Sequence, residues 1–362
     1  MASKLRPQQE RLFAFLTQQH MGDLVTEAEI LAATAWKPST LDTYYRKNSI
    51  DPFLQKTPDG RFRVLLDGAS ISKKDVAAAF SQVRPESVQL TEGMRIVGQH
   101  EEYELRRPVG AGAVAHVWEA TTTAKQKRAV KVMHPRPDLL DPTHIENIRK
   151  RFSREAKHGM RLCHPNIIRY RDYGDVAGSP FIAMDLADES LAKRLETGLL
   201  SVHDAMEIVN ACLMGLAYLH GEGCVHRDVK PGNILRLGNQ YLLGDLGIVR
   251  WSDMNPAFTS AGAITRASLQ LGSWYYMAPE QRSGPHDATP ASDVYSLGIT
   301  WYQMLTGRTL DPAAAAARQF QEPSSQPKIN AVIRAMLSFQ PDQRPTVEAL
   351  QSQVKAILSA GG

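Results

Sequence analysis

Several things are scarce in this chain, and each scarcity removes a class of protein. It holds only three cysteines, Cys163, Cys212 and Cys224, far apart and without CxxC spacing. That argues against a disulfide framework or a cysteine-rich zinc site and favours a reducing compartment. No stretch approaches the roughly 18–20 apolar residues that span a bilayer. The opening MASKLRPQQER lacks the apolar core of a signal peptide, so a cytoplasmic protein with no membrane span is expected. Charge of one sign is scarce as well: 42 basic side chains face 38 acidic ones, a net +4, so no whole-molecule field draws the chain onto nucleic acid or anionic lipid.

What is present is an ordinary globular composition, 43% hydrophobic and 22% charged, over 362 residues. That length suits one large domain with a small one. In front, Leu12, Phe13 and Leu16 recur at helical spacing, and Thr26 with Glu29 forms a capping-box pattern ahead of Ile30 and Leu31. A third short helix is expected over 40–48, with Leu41 and Tyr45 one turn apart. Phe53–Lys56 and Phe62–Leu66 flank Pro58-Asp59-Gly60, a tight-turn signal that predicts a hairpin.

Three helices and a hairpin resemble a winged helix-turn-helix over residues 1–66, with 37–48 as the recognition helix. Six basic residues between Lys37 and Arg63 stand against three acids, a surplus able to meet phosphates. A solvated face on a protein-interaction module fits equally well, so DNA and protein partners stand side by side. Residues 67–101 read as a helix-like run, Lys73 to Val83, followed by a linker.

From Glu102 a series of short motifs follows in fixed order. Gly110 and Gly112 belong to a small-residue turn in which Ala115 occupies the place of a third glycine. Ala129-Val130-Lys131 reads as a strand, and Glu155 lies on a helix ahead of His164-Pro165-Asn166. Then come His226-Arg227-Asp228-Val229-Lys230-Pro231-Gly232-Asn233, Asp245-Leu246-Gly247, Met277-Ala278-Pro279-Glu280, Ser292-Asp293-Val294 and Asp342-Gln343-Arg344. Between them Ala205, Ile208, Val209, Cys212, Leu213, Leu216 and Leu219 mark a core helix at i, i+3, i+4 spacing.

This order resembles the eukaryotic-like serine/threonine protein kinases over residues 102–358. The resemblance implies an α+β, bilobal protein-kinase fold, with a β-rich N-lobe and a helical C-lobe, behind the small front domain. It implies ATP as phosphoryl donor and a protein serine or threonine as acceptor. Gly110 and Gly112 would bring backbone N–H groups to the phosphates, Lys131 would contact them, and Glu155 would hold Lys131. Asp228 would accept the substrate's hydroxyl proton, and Lys230 would face the transferring phosphoryl group. Asn233 and Asp245 would ligate Mg²⁺, for which Mn²⁺ would also serve. Val117, Ala129 and Leu235 would sandwich adenine, Met184 would close the rear, and the backbone from Asp185 to Ala187 would bond the base.

Glu280 and Arg344 are expected to form a structural ion pair, and Asp293 to anchor the catalytic loop. Arg227 before Asp228 implies control by a phosphate on the activation segment, with Thr259, Ser260, Thr265 and Ser268 as candidate acceptors. Gly159 stands one helical turn past Glu155, where kinases place a leucine. With Ala115 and Leu246 it predicts an easily displaced helix and a low basal rate, which Gly159→Leu would raise. Two other readings remain: a nucleotide-binding pseudokinase scaffold, and a DNA-binding regulator controlled by its kinase domain.

Overall fold

In this computed structural model the described residues are 7–35, 41, 53–57, 59–73, 75, 76, 89–112, 115–134, 142–246, 249, 250, 273–283 and 288–360. The chain divides into two compact units, Met1–Glu86 and Ser87–Gly362.

The first unit contains α1 (Pro7–Leu16), β1 (Leu24–Val25), α2 (Glu27–Thr34), β2 (Leu54–Lys56) and β3 (Phe62–Val64). Thr26 caps α2 as its sequence predicts: its hydroxyl accepts from the Glu29 N–H, and the Glu29 carboxylate accepts from the Thr26 N–H at 2.6 Å. The hairpin strands are joined by β1, giving the order β1-β3-β2. Leu12, Leu16, Ile30, Leu41, Phe53, Leu54 and Phe62 form its core. Ile71 and Val76 also enter that core, so this unit extends past Leu66. Apart from Leu41, the segment 37–48 read as a recognition helix lies outside the described residues, as does most of Lys73 to Val83.

The second unit opens with a six-stranded antiparallel sheet of β4 (Arg95–Val97), β5 (Glu102–Ala111), β6 (Ala115–Thr122), β7 (Lys127–Met133), β8 (Tyr170–Val176) and β9 (Ser179–Asp185), in the order β4-β5-β6-β7-β9-β8. A bridge between Gly98 and Gly174 joins the outermost strands and closes the sheet on itself. Asp172 secures the closure. Its fully buried carboxylate accepts the N–H groups of Gln99, His100 and Glu101 and the hydroxyl of Tyr103, at 3.0–3.1 Å. The stretch 95–101, which the sequence suggests is linker, is therefore part of this lobe.

Strand alternation splits the side chains of the closed sheet between two faces. Tyr103, Trp118, Val130, Val132, Phe181 and Ala183 share one apolar cluster. Ala115, Ala129, Met133, Ile182 and Met184 belong to another, continuous with the core of the helical lobe. Against β8 and β9 packs α3 (Pro142–Gly159).

After the two-residue strand β10 (Glu189–Ser190) the C-terminal part is built of helices α4 (Leu191–Leu195), α5 (Val202–Gly221), α6 (Pro279–Ser283), α7 (Pro290–Thr306), α8 (Pro312–Ala316), α9 (Pro327–Met336) and α10 (Val347–Ala360). Between α5 and α6 run the short strands β11 (Cys224–Val225), β12 (Ile234–Leu237), β13 (Gln240–Leu243) and β14 (Val249–Arg250). The stripe from Ala205 to Leu219 on α5 is buried throughout, and α7 is enclosed along most of its length.

Arg344 locks the base of this lobe. Its buried guanidinium makes two bonds to Glu280, at 2.6 and 2.8 Å, and others to the carbonyls of Ala291, Ser338 and Phe339. Lysine cannot reproduce that fork and would leave buried acceptors and a carboxylate short of partners. Losing one partner of a buried pair costs about 3–5 kcal/mol. Arg344→Lys is therefore expected to lower the thermal midpoint by on the order of 10 °C in calorimetry; an unchanged midpoint would contradict the role given to the pair.

Candidate active site

The catalytic-loop residues and Asp245 come together because short backbone bonds tie their segments. Cys224 and Val225 of β11 pair with Arg250 and Val249 of β14, on either side of the cleft residues. Between them the hairpin β12–β13 returns the chain, so that the Gly244 N–H donates to the Asn233 carbonyl at 2.8 Å. His226 adds a ring bond to the Gly244 carbonyl at 3.1 Å. Asp228 and Asp245, seventeen positions apart in sequence, thus belong to one hydrogen-bonded frame.

That frame holds two backbones under strain. Arg227 has φ +71° and Asp245 has φ +54°, left-handed values that cost a non-glycine residue on the order of 1–3 kcal/mol. Asp293, fully buried on α7, offsets the strain at Arg227. One carboxylate oxygen accepts the Arg227 N–H at 2.8 Å; the other accepts the His226 N–H and meets His220 Nε2, both at 2.9 Å. On the far side, Gln281 Nε2 donates to the Arg227 carbonyl at 3.2 Å. The sequence suggests the anchoring part of Asp293; His220 and Gln281 carry no motif that would have singled them out.

Around Asp228 the donors are unevenly shared. Lys230 Nζ, at 2.7 Å, and Asn233 Nδ2, at 2.9 Å, both reach Oδ2. No described residue donates to Oδ1, and the side chain is 38% exposed. One carboxylate oxygen is thus held, and the other is left without a donor among the described residues. Because Asn233 spends its amide nitrogen on Asp228, at both the side chain and the carbonyl, its amide oxygen is the atom left for a cation.

Lys131, on β7, lies between two carboxylates. Its ammonium is 3.5 Å from Glu155 on α3 and in direct contact with Asp245. It also stands 5.5 Å from the centre of the Phe152 ring. Burial alone would lower its pKa, but Asp245 and then Glu155 outweigh that and raise it, so the ammonium stays charged. Asp245 is shifted down: desolvation opposes ionisation, and Lys131 overcomes it, with Lys230 adding to the pull. Glu155 is shifted up, chiefly by burial and further by Asp245, against the attraction of Lys131.

Glu155 has a second partner. The Tyr170 hydroxyl, at the start of β8, donates to its Oε1 at 2.7 Å. Tyr170 is itself buried, and its phenol is driven well above its ordinary pKa by burial and by the carboxylates of Glu155 and Asp245, so it remains a donor. Its ring lies on Gly159: a Cβ there would come within 2.3 Å of Cδ2 and 2.5 Å of Cε2. The looseness expected from a glycine at position 159 is therefore not what the structure shows. The space is filled from the strand side, and Gly159→Leu would collide with Tyr170 rather than complete the packing.

The remaining predicted residues lie mostly on strands β5, β6, β7, β9 and β12. Ala129 and Met184 belong to the large apolar core that continues into the helical lobe, Val117 and Leu235 pack against it part-buried, and Ala129 is the direct cross-strand partner of Met184. Gly110 lies opposite Val117, and the Gly112 N–H closes the turn onto the Ala115 carbonyl at 2.8 Å. Ala113 and Val114 lie outside the described residues. Asp185 spends its N–H on the Arg169 carbonyl, and two bonds of 2.8 Å tie its carboxylate to Arg171. The strand thus ends firmly before Ala187. Thr259, Ser260, Thr265 and Ser268 lie outside the described residues.

Two oxygen donors, the Asn233 amide and the Asp245 carboxylate, fit a hard divalent cation completed by phosphate oxygens and water. They do not form a protein-only metal cage: among the described residues no group of three or more His, Cys, Asp or Glu could hold an ion.

Asp293→Asn would turn one acceptor into a donor facing buried N–H groups, which costs about 1–3 kcal/mol and frees the strained Arg227 backbone. The expected outcome is a lower midpoint in calorimetry and faster amide hydrogen exchange over His226–Asn233. Wild-type values in both assays would contradict the anchoring.

Among curated proteins, the chain is 37% identical over 217 residues to the serine/threonine-protein kinase PknA of Mycobacterium tuberculosis, covering 57% of this chain and 47% of that one. It is 34% identical over 261 residues to drp72 of Corynebacterium efficiens (70% and 45%), and 28% identical over 286 residues to PrkC of Bacillus subtilis (74% and 42%). The chain thus spans a little under half the length of these relatives. Among solved structures, the PknI kinase domain of M. tuberculosis superposes with a TM-score of 0.55 at 25% identity, covering 76% of this chain and 100% of that one. The protein kinase domain model matches residues 103–354, the stretch that holds every residue of the cleft just described, and the chain belongs to the protein kinase family.

Proposed function

We propose that the chain transfers the γ-phosphoryl group of ATP to serine or threonine hydroxyls of proteins. The observation that carries this reading is the divided carboxylate of Asp228. Lys230 and Asn233 fix Oδ2, while no described residue donates to Oδ1, which stays available to a substrate hydroxyl. A serine or threonine hydroxyl bonded to Oδ1 would have its oxygen directed at the terminal phosphorus. As the new P–O bond forms, the bond from that phosphorus to the ADP oxygen breaks, and the hydroxyl proton passes to the Asp228 carboxylate. Lys230 keeps Asp228 oriented and places a positive charge beside the group in flight.

Lys131 supplies the second fixed positive charge, held in direction by Glu155. Asn233 and Asp245 would hold Mg²⁺, which supplies neutralisation of phosphate charge; Mn²⁺ accepts the same oxygen donors. The apolar cluster of Val117, Ala129, Met184 and Leu235 suits the faces of adenine, with the backbone from Asp185 to Ala187 at its edge.

Serine/threonine specificity is supported by Lys230 two residues beyond Asp228 and by the names of the relatives. Arg227 supports control by a phosphate on the segment holding Thr265 and Ser268. We place the protein in the cytoplasm, on its cysteine usage and on the described helices, none of which is long and apolar enough to cross a membrane. The first unit is assigned a DNA or protein partner, which a gel shift titrated with salt separates.

The deciding experiment incubates the full chain with labelled ATP, Mg²⁺ and a general protein substrate, beside Asp228→Ala. Transfer to serine and threonine is expected in the wild type, with a loss of at least a thousandfold in the variant and unchanged nucleotide binding. Equal transfer by both proteins, or nucleotide binding without transfer by either, would overturn the reading, the second in favour of a scaffold.

A further inference from the structure

The buried hydroxyl of Tyr170 has no part in the phosphoryl-transfer reading. It is buried where β8 meets α3. Its ring begins β8 and lies against Gly159 of α3. Its O–H donates to Glu155 at 2.7 Å. Glu155 in turn meets Lys131, which is in direct contact with Asp245.

From this geometry we infer that the Tyr170 hydroxyl is a positioning group that fixes Glu155, and through it the reach of Lys131 to Asp245. The inference rests on the kinase reading, since it assigns Glu155 and Lys131 their working arrangement.

Two observations favour a positioning role over simple space filling. Phenylalanine would fill the same volume beside Gly159 without burying a hydroxyl, and a buried hydroxyl is costly unless it is bonded. The bond it makes goes to a carboxylate whose other close partner, Lys131, is farther away, at 3.5 Å. A charge-assisted bond of 2.7 Å is the shorter and stiffer of the two, so it restrains Glu155 more strongly than the lysine does.

The pairing with Gly159 follows from sterics. α3 can approach β8 closely enough for Glu155 to meet the hydroxyl only if position 159 has no side chain, because even a methyl group would overlap the ring at 2.3–2.5 Å. Gly159 and Tyr170 therefore act as a matched pair. A leucine, four residues after Glu155, would lift the helix away from the bond.

The test compares wild type, Tyr170→Phe and Gly159→Ala in the full chain by steady-state kinetics and by amide hydrogen exchange over Phe152–Gly159. Tyr170→Phe keeps the ring and removes only the bond. It is expected to lower kcat about tenfold, leave the KM for protein substrate within about twofold, and speed exchange in that helix segment. Gly159→Ala keeps the hydroxyl but displaces the ring, and is expected to show the same pattern. In a Glu155→Gln background, Tyr170→Phe should add much less than its effect alone, the non-additivity of groups that act together.

Wild-type kcat and exchange in Tyr170→Phe would overturn the inference, as would full additivity with Glu155→Gln. If the wild type transfers no phosphate at all, the kinase reading fails, and the exchange comparison still decides whether the hydroxyl restrains the helix.

Discussion

The ammonium of Lys131, held between the carboxylates of Glu155 and Asp245, is the interaction on which the rest of the site depends. Each of the three groups comes from a different element: a strand of the closed sheet, the helix packed on it, and the loop that follows the β12–β13 hairpin. A charge of this kind is stable in a partly buried cleft only while its partners stay close. The triad therefore ties the position of α3 to that of Asp245. Asp228, Lys230 and Asn233 form a second, smaller cluster, joined to the first through the Asn233–Gly244 backbone bond.

The surrounding architecture reads as support for these two clusters. Asp172 closes the sheet that carries Lys131, and Asp293 and Gln281 hold the Arg227 backbone in its strained conformation. Arg344 fixes α6, from which Gln281 projects, by gripping its neighbour Glu280. In each case a buried charged or amide side chain satisfies backbone groups that no regular ladder could reach, which is why these residues lie inside the fold although they are polar.

Much of the site is legible in the sequence because its chemistry is concentrated in short stretches. Asp228, Lys230 and Asn233 lie within six positions, and Asp245 follows behind a strand. The spacing alone brings them near one another, and the structure places them together. What sequence reading could not supply are pairings between elements. Gly159 suggests a loose helix, because nothing local to α3 reveals that Tyr170, on β8, fills the gap. The Asp172 closure is hidden for the same reason: its partners are backbone N–H groups some seventy positions away. The winged-helix pattern of the first unit depends on the segment 37–48, of which only Leu41 is described; its three-stranded order, by contrast, is plain only in the structure, since β1 is two residues long.

In the proposed function Lys131, Asn233 and Asp245 hold one triphosphate together, and that binding requires a divalent cation. Calorimetric titration of the full chain with ATP, with and without Mg²⁺, tests it most directly when repeated on Asp245→Asn. Mg²⁺ is expected to tighten binding to the wild type by at least tenfold and to have little effect on the variant. ATP affinity independent of Mg²⁺ in the wild type, or equally dependent on it in both proteins, would contradict the account.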